Sequence, residues 1–386
     1  MQTIAVAELQ PGQVMAQSLL DEKGQVLLHR GVQLTDQYIK ALRDKGFQYL
    51  YVRDDDEEDL GIEPEEDLTP MVRARAVMAM QRAFKQVGDQ LQHLRELSLE
   101  DAKKALESDE VRALVAAGGP LDKLQEIIGG ILDDVLVNDT IAGLASMRSE
   151  DTQLYQHALD VCVVSLLIGK ATGLPNARMK PLAMGCLLHD IGKLFISPRL
   201  DRRSAIIQHT TLGFELLRKS ENSEMLAPFV AYEHHEHQDG TGLPRGIIGS
   251  NRIERNRNVD TPIPTLIGEI AAVANAYDNL LTGAGNGQPL SPDQVIAKIT
   301  EGAGTLYNKE IILAFRRVTP VYPRATQVIL SGGPYNGYVG VVSEVRPTQL
   351  NRPKVILVRN AKRERIEPLE IDTLNHEEIG LRTAGA

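Results

Sequence analysis

The sequence contains no tryptophan, and aromatic residues make up only 4% of its 386 positions. A chain so poor in rings lacks the stacking platforms that non-specific single-strand nucleic-acid binders use. Cysteine is almost missing too. The two present, Cys162 and Cys186, lie in apolar, helix-like segments and read as buried free thiols of a reducing compartment, not as a disulfide framework. No run approaches about eighteen consecutive apolar residues, so no membrane-spanning helix is expected. The start, MQTIAVAELQPGQV, has no basic segment ahead of an apolar core, so no secretory signal is read there and a cytoplasmic location is the expectation. Bases are absent from one stretch: residues 54–67, DDDEEDLGIEPEED, hold ten acids and no Lys or Arg. That stretch carries the whole formal charge of −10, because the rest of the chain has 42 acids against 42 bases. A generally basic nucleic-acid binder is excluded on this balance, and no nucleic-acid partner is expected.

The chain is long enough for two or three domains with a sizeable core. Residues 1–53 read as a small α+β module. Within it Gly24 suits a hairpin turn, Thr35 an N-cap, Ile39 and Leu42 a helix face, Gly46 the residue after the helix, and Phe47 to Val52 a returning strand. Residues 54–70 read as a solvated acidic linker, with docking of a basic partner as the alternative. Residues 71–119 form a helical linker. In it Val77, Met80, Phe84, Val87, Leu91 and Leu94 fall on one stripe by three- and four-residue steps. The stripe either packs on the chain's own helices or forms a homodimer seam through the 77–94 helix. Residues 120–318 are mostly helical in pattern, with a buried helix expected over Leu182 to Leu194. From 319 to 386 β-rich runs at Val328–Leu330, Val339–Val345 and Val355–Val358 suggest a small β module.

Six of the nine histidines lie between 157 and 237. In LLHDIGK, residues 187–193, apolar neighbours imply that His189 and Asp190 are buried. A buried carboxylate needs a cation or several donors. Neutral imidazole binds divalent transition ions, and an Asp can bridge two of them. Lys193, about one helical turn after His189, can reach the same place and suits a phosphate. In YEHHEHQDGTGLPRG, residues 232–246, His234 and His235 enter a glycine-rich turn, where missing side chains let backbone come close. His237 reads as a peripheral residue.

These segments, with YQHALDV at 155–161, IIQHTTLGFELL at 206–217 and IAAVANAYDNLLT at 270–282, resemble an HD-GYP domain protein of the HD metal-dependent phosphohydrolase superfamily. The resemblance covers roughly 120–318. It implies a mainly α fold, an HD-type helical bundle, here with the small N-terminal α+β module and a short C-terminal β module. It implies two divalent metal ions, iron or manganese, and hydrolysis of cyclic di-GMP to linear pGpG or GMP. Carried over by motif, His157, His189 and Asp190 serve one metal, and Asp190 bridges to a second held by His209, His234 and His235. Asn275 occupies the remaining first-metal position. Asp190 and Lys193 are the catalytic expectation, and Lys193 with Arg245 would face substrate phosphates.

Five features depart from the family pattern, one of them a loop between HDIGK and His209 that is shorter than the family commonly shows. Asn275 stands where an Asp is usual and brings no charge, with Asp278 expected to pack or cap elsewhere. Leu243 replaces the motif tyrosine. Gly283 to Pro289 replaces an Arg-rich segment. Gln153 stands where three-metal members carry Glu, so two metals at most are expected. An active phosphodiesterase is the leading expectation. The alternatives are a degenerate member that binds cyclic di-GMP or a signalling protein partner without turnover, and a hydrolase of another nucleotide or phosphoester.

Overall fold

The computed structural model describes residues 2–21, 25–47, 49–53, 60–143, 147–219, 226–255, 262–284 and 288–384. Gly24 lies outside them, but the hairpin expected around it is present as β3 (Leu19–Leu20) paired antiparallel with β4 (Val26–Leu28). The N-terminal module is completed by β1 (Gln2–Ala5), β2 (Val14–Met15), α1 (Asp36–Asp44) and β5 (Tyr49–Arg53). Thr35 caps α1, its hydroxyl accepting from the Tyr38 N–H at 3.3 Å, and Ile39 and Leu42 are buried. Strand β5 lies between β1 and β2, antiparallel to both. Its two-residue period divides it between cores: Leu50 and Val52 face the module, while Tyr49 and Tyr51 face the helical bundle. The module is therefore packed on the bundle and not merely tethered to it.

The acidic segment is largely exposed over its described half, yet several of its acids have specific partners. Asp54–Asp59 lie outside the described residues. Beyond them Glu63 pairs with Arg30, Glu66 accepts from the Gln17 amide at 2.8 Å, and Asp67 accepts from the Ala142 N–H at 2.9 Å.

Helix α2 (Pro70–Leu91) starts at Thr69, whose hydroxyl accepts from the Val72 N–H, followed by Pro70 at the first helical position. Its stripe of Val77, Met80, Phe84, Val87 and Leu91, continued by Leu94, is buried inside the chain's own main core. The apolar face expected as a dimer seam is therefore not on the surface. The same core takes in residues from α3 (Leu99–Ala105), α4 (Asp109–Val115) and α5 (Gln125–Val135), so 71–119 is part of the bundle and not a linker to it.

The centre of the bundle is α6 (Gln153–Ala171), packed on α7 (Asn176–Leu188) and α10 (Leu266–Thr282), with α8 (Arg202–Leu217) and α9 (Ala227–Glu233) beside them. Helix α6 is long and apolar enough to cross a membrane, but 72% of its apolar window is buried in the bundle. Cys162 and Cys186 are buried, free thiols. Helices α11 (Pro292–Glu301) and α12 (Lys309–Val318) close the bundle. The C-terminal residues form an antiparallel sheet of β6 (Gln327–Ser331), β7 (Val339–Arg346), β8 (Gln349–Arg359), β9 (Arg365–Asp372) and β10 (Gly380–Thr383), ordered β10-β6-β7-β8-β9.

Candidate metal centre

Four segments converge on one buried point. His157 comes from α6, His189 and Asp190 from the end of α7, His209 from α8, and His234 and His235 from the end of α9. They form two trios, His157–His189–Asp190 and His209–His234–His235, and within each trio the candidate ligand atoms lie within 4.8 Å of one another.

The turn at Asp190 makes this convergence. The helix expected through Leu194 in fact ends at Leu188, with His189 as its cap, and a tight turn covers Ile191–Phe195. Gly192 is the reason the turn fits. A Cβ there would stand 1.9 Å from the His209 carbonyl oxygen, so only glycine lets this turn lie against α8. Gly242 does the same in the second motif, where a Cβ would come 2.2 Å from the His237 nitrogen.

Asp190 stands between the trios. Its Oδ2 lies 3.4 Å from His189 Nε2 and 3.6 Å from His157 Nε2, while its Oδ1 lies 3.4 Å from His209 Nε2 and 3.7 Å from His234 Nε2. The outer nitrogens of four imidazoles are all occupied. His189 Nδ1 donates to the Cys186 carbonyl (2.7 Å), His209 Nδ1 to that of Ala205 (2.8 Å), and His234 Nδ1 to those of Val230 and Ala231 (3.1 Å each). His157 Nδ1 donates to the Asp278 carboxylate at 2.5 Å. A carbonyl only accepts, so the proton sits on Nδ1 and the Nε2 lone pair points inward.

The result is a set of lone pairs facing one another. The Nε2 atoms of His157 and His189 are 3.3 Å apart, as are those of His209 and His234. Among the described residues, Asp190 Oδ1 is buried without a hydrogen-bond donor. Such an arrangement is unfavourable without cations between the ligands, and imidazole nitrogen with carboxylate oxygen is the donor set of divalent transition metals. The residues fit a metal centre.

The electrostatics agree. Burial holds His209 down to about 4, and it likewise lowers His157, His234 and His235, so these four imidazoles are neutral near pH 7. Burial opposes ionisation of Asp190, but the Lys193 ammonium beside it favours the charged form, and the carboxyl stays well below its usual range. Lys193 Nζ is 2.5 Å from Asp190 Oδ2, with its side chain 45% exposed.

Other expected residues are placed differently. Asn275 is buried on α10 one turn before Asp278, and its side-chain oxygen accepts from the Asn279 amide at 2.9 Å. Arg245 is tied down: its guanidinium is 2.5 Å from Glu233 and lies 4.6 Å over the Tyr232 ring. His237 Nδ1 meets the Thr241 hydroxyl at 2.9 Å, and His237 belongs to neither trio.

Three buried glutamates missed in the sequence hold the second motif. Glu233 accepts from the Thr265 N–H (2.7 Å) and hydroxyl (2.6 Å). Glu236 accepts from the Arg245 and Ile247 N–H groups, and Glu269 from Gln238 and Asn308. Glu233 and Glu236 belong to the quoted EHHEHQ, but nothing in a lone sequence marks a glutamate as an internal brace.

Residues 154–280 match the family model described as HD domain. A cyclic di-GMP phosphodiesterase of Thermotoga maritima is 29% identical over 197 residues, 47% of this chain and 50% of that protein. A cyclic di-GMP phosphodiesterase of Pseudomonas aeruginosa is 24% identical, over 58% of this chain and 52% of its own. A 3′3′-cGAMP-specific phosphodiesterase of Vibrio cholerae is 27% identical, over 43% of this chain and 35% of its own. The chain thus spans about half the length, or less, of these curated relatives. Residues 154–280 are thus similar to an HD domain, and the ordered motifs that converge in space lie within that stretch.

Proposed function

We propose that this chain is a metal-dependent phosphodiesterase that hydrolyses cyclic di-GMP to pGpG or GMP. The observation that supports it is the pair of histidine trios with Asp190 shared between them. His157, His189 and Asp190 would hold one divalent ion and His209, His234 and His235 a second, with Asp190 common to both and iron or manganese the expected metals. When bound, such ions supply Lewis acidity toward a phosphoryl oxygen and lower the pKa of water toward neutrality.

The chain's own residues do the rest. The Nδ1 bonds keep four of the five imidazoles in one tautomer and orientation, so little reorganisation is needed at the site. Burial keeps the imidazoles of His157, His209, His234 and His235 neutral and available as ligands. Lys193 is the nearby cation with solvent access, and its ammonium would offer donors to a substrate phosphate. Arg245 supports the reading less, because its guanidinium is already paired with Glu233; it would orient the turn carrying His235. Asn275 would bring an uncharged oxygen to the first ion.

A second reading, a chain that binds the dinucleotide without turnover, is favoured by one observation, the missing charge at Asn275. The likeness to a 3′3′-cGAMP-specific enzyme adds a neighbouring substrate to test. Purification with and without oxygen, metal analysis for iron and manganese, and chromatography of cyclic di-GMP and 3′3′-cGAMP separate these readings. Formation of pGpG or GMP supports the first. Binding with no product under either metal overturns it.

A further inference from the structure

Of the four candidate-ligand imidazoles with a bonded Nδ1, three donate to a main-chain carbonyl three or four residues earlier in their own segment. His157 does not. Its Nδ1 reaches across to Asp278 on α10, and Asp278 is itself gripped by Arg148. Arg148 is 2% exposed and uses both guanidinium arms: Nη1 donates to Asp278 Oδ2 at 2.9 Å, and Nη2 pairs with Asp278 Oδ1 and with Asp160 Oδ2 at 2.8 Å. Asp160 continues the chain outward, its Oδ1 accepting from Arg73 of α2 at 2.8 Å. The series Arg73–Asp160–Arg148–Asp278–His157 is balanced in charge apart from the imidazole, and Tyr49 and Tyr51 of β5 lie buried close to it.

Burying two arginines and two aspartates carries a desolvation cost that apolar side chains of similar volume would avoid. Stability alone therefore does not account for the cluster. Its geometry has one directed consequence: a two-armed guanidinium fixes the plane of a carboxylate, and that carboxylate fixes the imidazole.

We infer that Arg148 and Asp278 are positioning residues for the first metal site, Arg148 aligning Asp278 and Asp278 holding His157 so that its Nε2 faces the ion. Asp278 is then no substitute for the acid missing at Asn275. Its charge reaches the site through the His157 ring, raising that ring's strength as a donor, and not by direct ligation. The inference rests on the metal reading above but not on the identity of the substrate.

The test is manganese binding by the metal-stripped full chain, followed by calorimetry and by the electron-spin signal of Mn²⁺. Wild type is expected to take two ions. In Asp278→Asn one of them should weaken roughly 10- to 100-fold, the usual size of an outer-shell effect, while the other changes little. Because Asp278→Asn leaves Arg148 partly unpaired, the double variant Arg148→Met/Asp278→Asn removes both charges and is expected to fold and to show the same selective loss. Two ions bound with wild-type affinity by either folded variant would overturn the inference.

Nitrogen NMR of the unmutated, metal-free protein adds a test that needs no variant. The His157 ring should carry its proton on Nδ1, and an Nε2-protonated ring would overturn the inference. Wild type that takes no ion would overturn both this inference and the metal reading. Selective weakening without any turnover of cyclic di-GMP would leave the inference standing and remove only the substrate.

Discussion

Replacing Gly192 by alanine adds one methyl group where the Asp190 turn meets α8. The new carbon would stand 1.9 Å from the His209 carbonyl oxygen, 2.7 Å from its carbon and 2.9 Å from the Gly213 nitrogen. All three are backbone atoms, so no rotamer change relieves the clash. Ordinary contact begins near 3.4 Å, so the turn and α8 must separate by an ångström or more. Asp190 and His209 ride on those two segments only 3.4 Å apart. Overpacking a tight core contact costs about 1–3 kcal/mol, and this contact should sit at or above the upper end. We therefore expect Gly192→Ala to lose about 3 kcal/mol in urea denaturation of the metal-free protein and to bind Mn²⁺ poorly at both trios. Gly129→Ala is the control: Gly129 is exposed on α5 with nothing within 4 Å of a new Cβ, so it should gain about 0.5–1 kcal/mol from helix propensity. A Gly192→Ala protein with wild-type stability and two ions bound would refute the reasoning that this glycine sets the spacing of the site.

Burial raises the Asp67 carboxyl from 3.8 to about 7, with the Ala142 N–H partly opposing. The folded state therefore disfavours the ionised form, and stability falls as pH rises from about 4 to 7. Asp67→Asn keeps an acceptor for Ala142 but cannot ionise. Allowing for its partial solvent access, its advantage over wild type in metal-free urea melts should be about 1–2 kcal/mol larger at pH 8 than at pH 5, and an advantage independent of pH would refute this. Asn275→Asp is expected to raise the metal retained after purification; unchanged content would show that Asn275 is not at a ligand position. Phe84→Ala should cost about 3–5 kcal/mol in denaturant melts, because the ring is buried in the bundle core. A loss below about 1 kcal/mol would mean that the α2 stripe is not packed as described.

Metal ligands were legible because they come as short motifs. His189 with Asp190, and His234 with His235, are neighbours in the chain, and two adjacent polar groups in an apolar run have few structural explanations. The helices and the C-terminal strands were legible from apolar spacing, and the α1 cap from a single threonine. The helix expected across Leu182–Leu194 was misjudged because apolar periodicity does not report a turn imposed by contact with α8. The acidic segment is largely exposed, as ten acids without a base suggest, but composition does not show that Glu63, Glu66 and Asp67 each find a partner far along the chain.

By itself, then, the sequence determined which residue types could hold metals, the helical character of the bundle, and the β character of both ends. Those features depend on the order of nearby residues. Only the tertiary structure decided which way the α2 stripe faces, where Arg245 is held, and what supports His157. The last depends on Arg148 and Asp278, which are 130 residues apart. No local pattern connects them. What joins them is the packing of α10 against α6 and the segment just before it, which sets the buried Arg148 guanidinium between Asp160 and Asp278 and leaves Asp278 facing a candidate metal ligand.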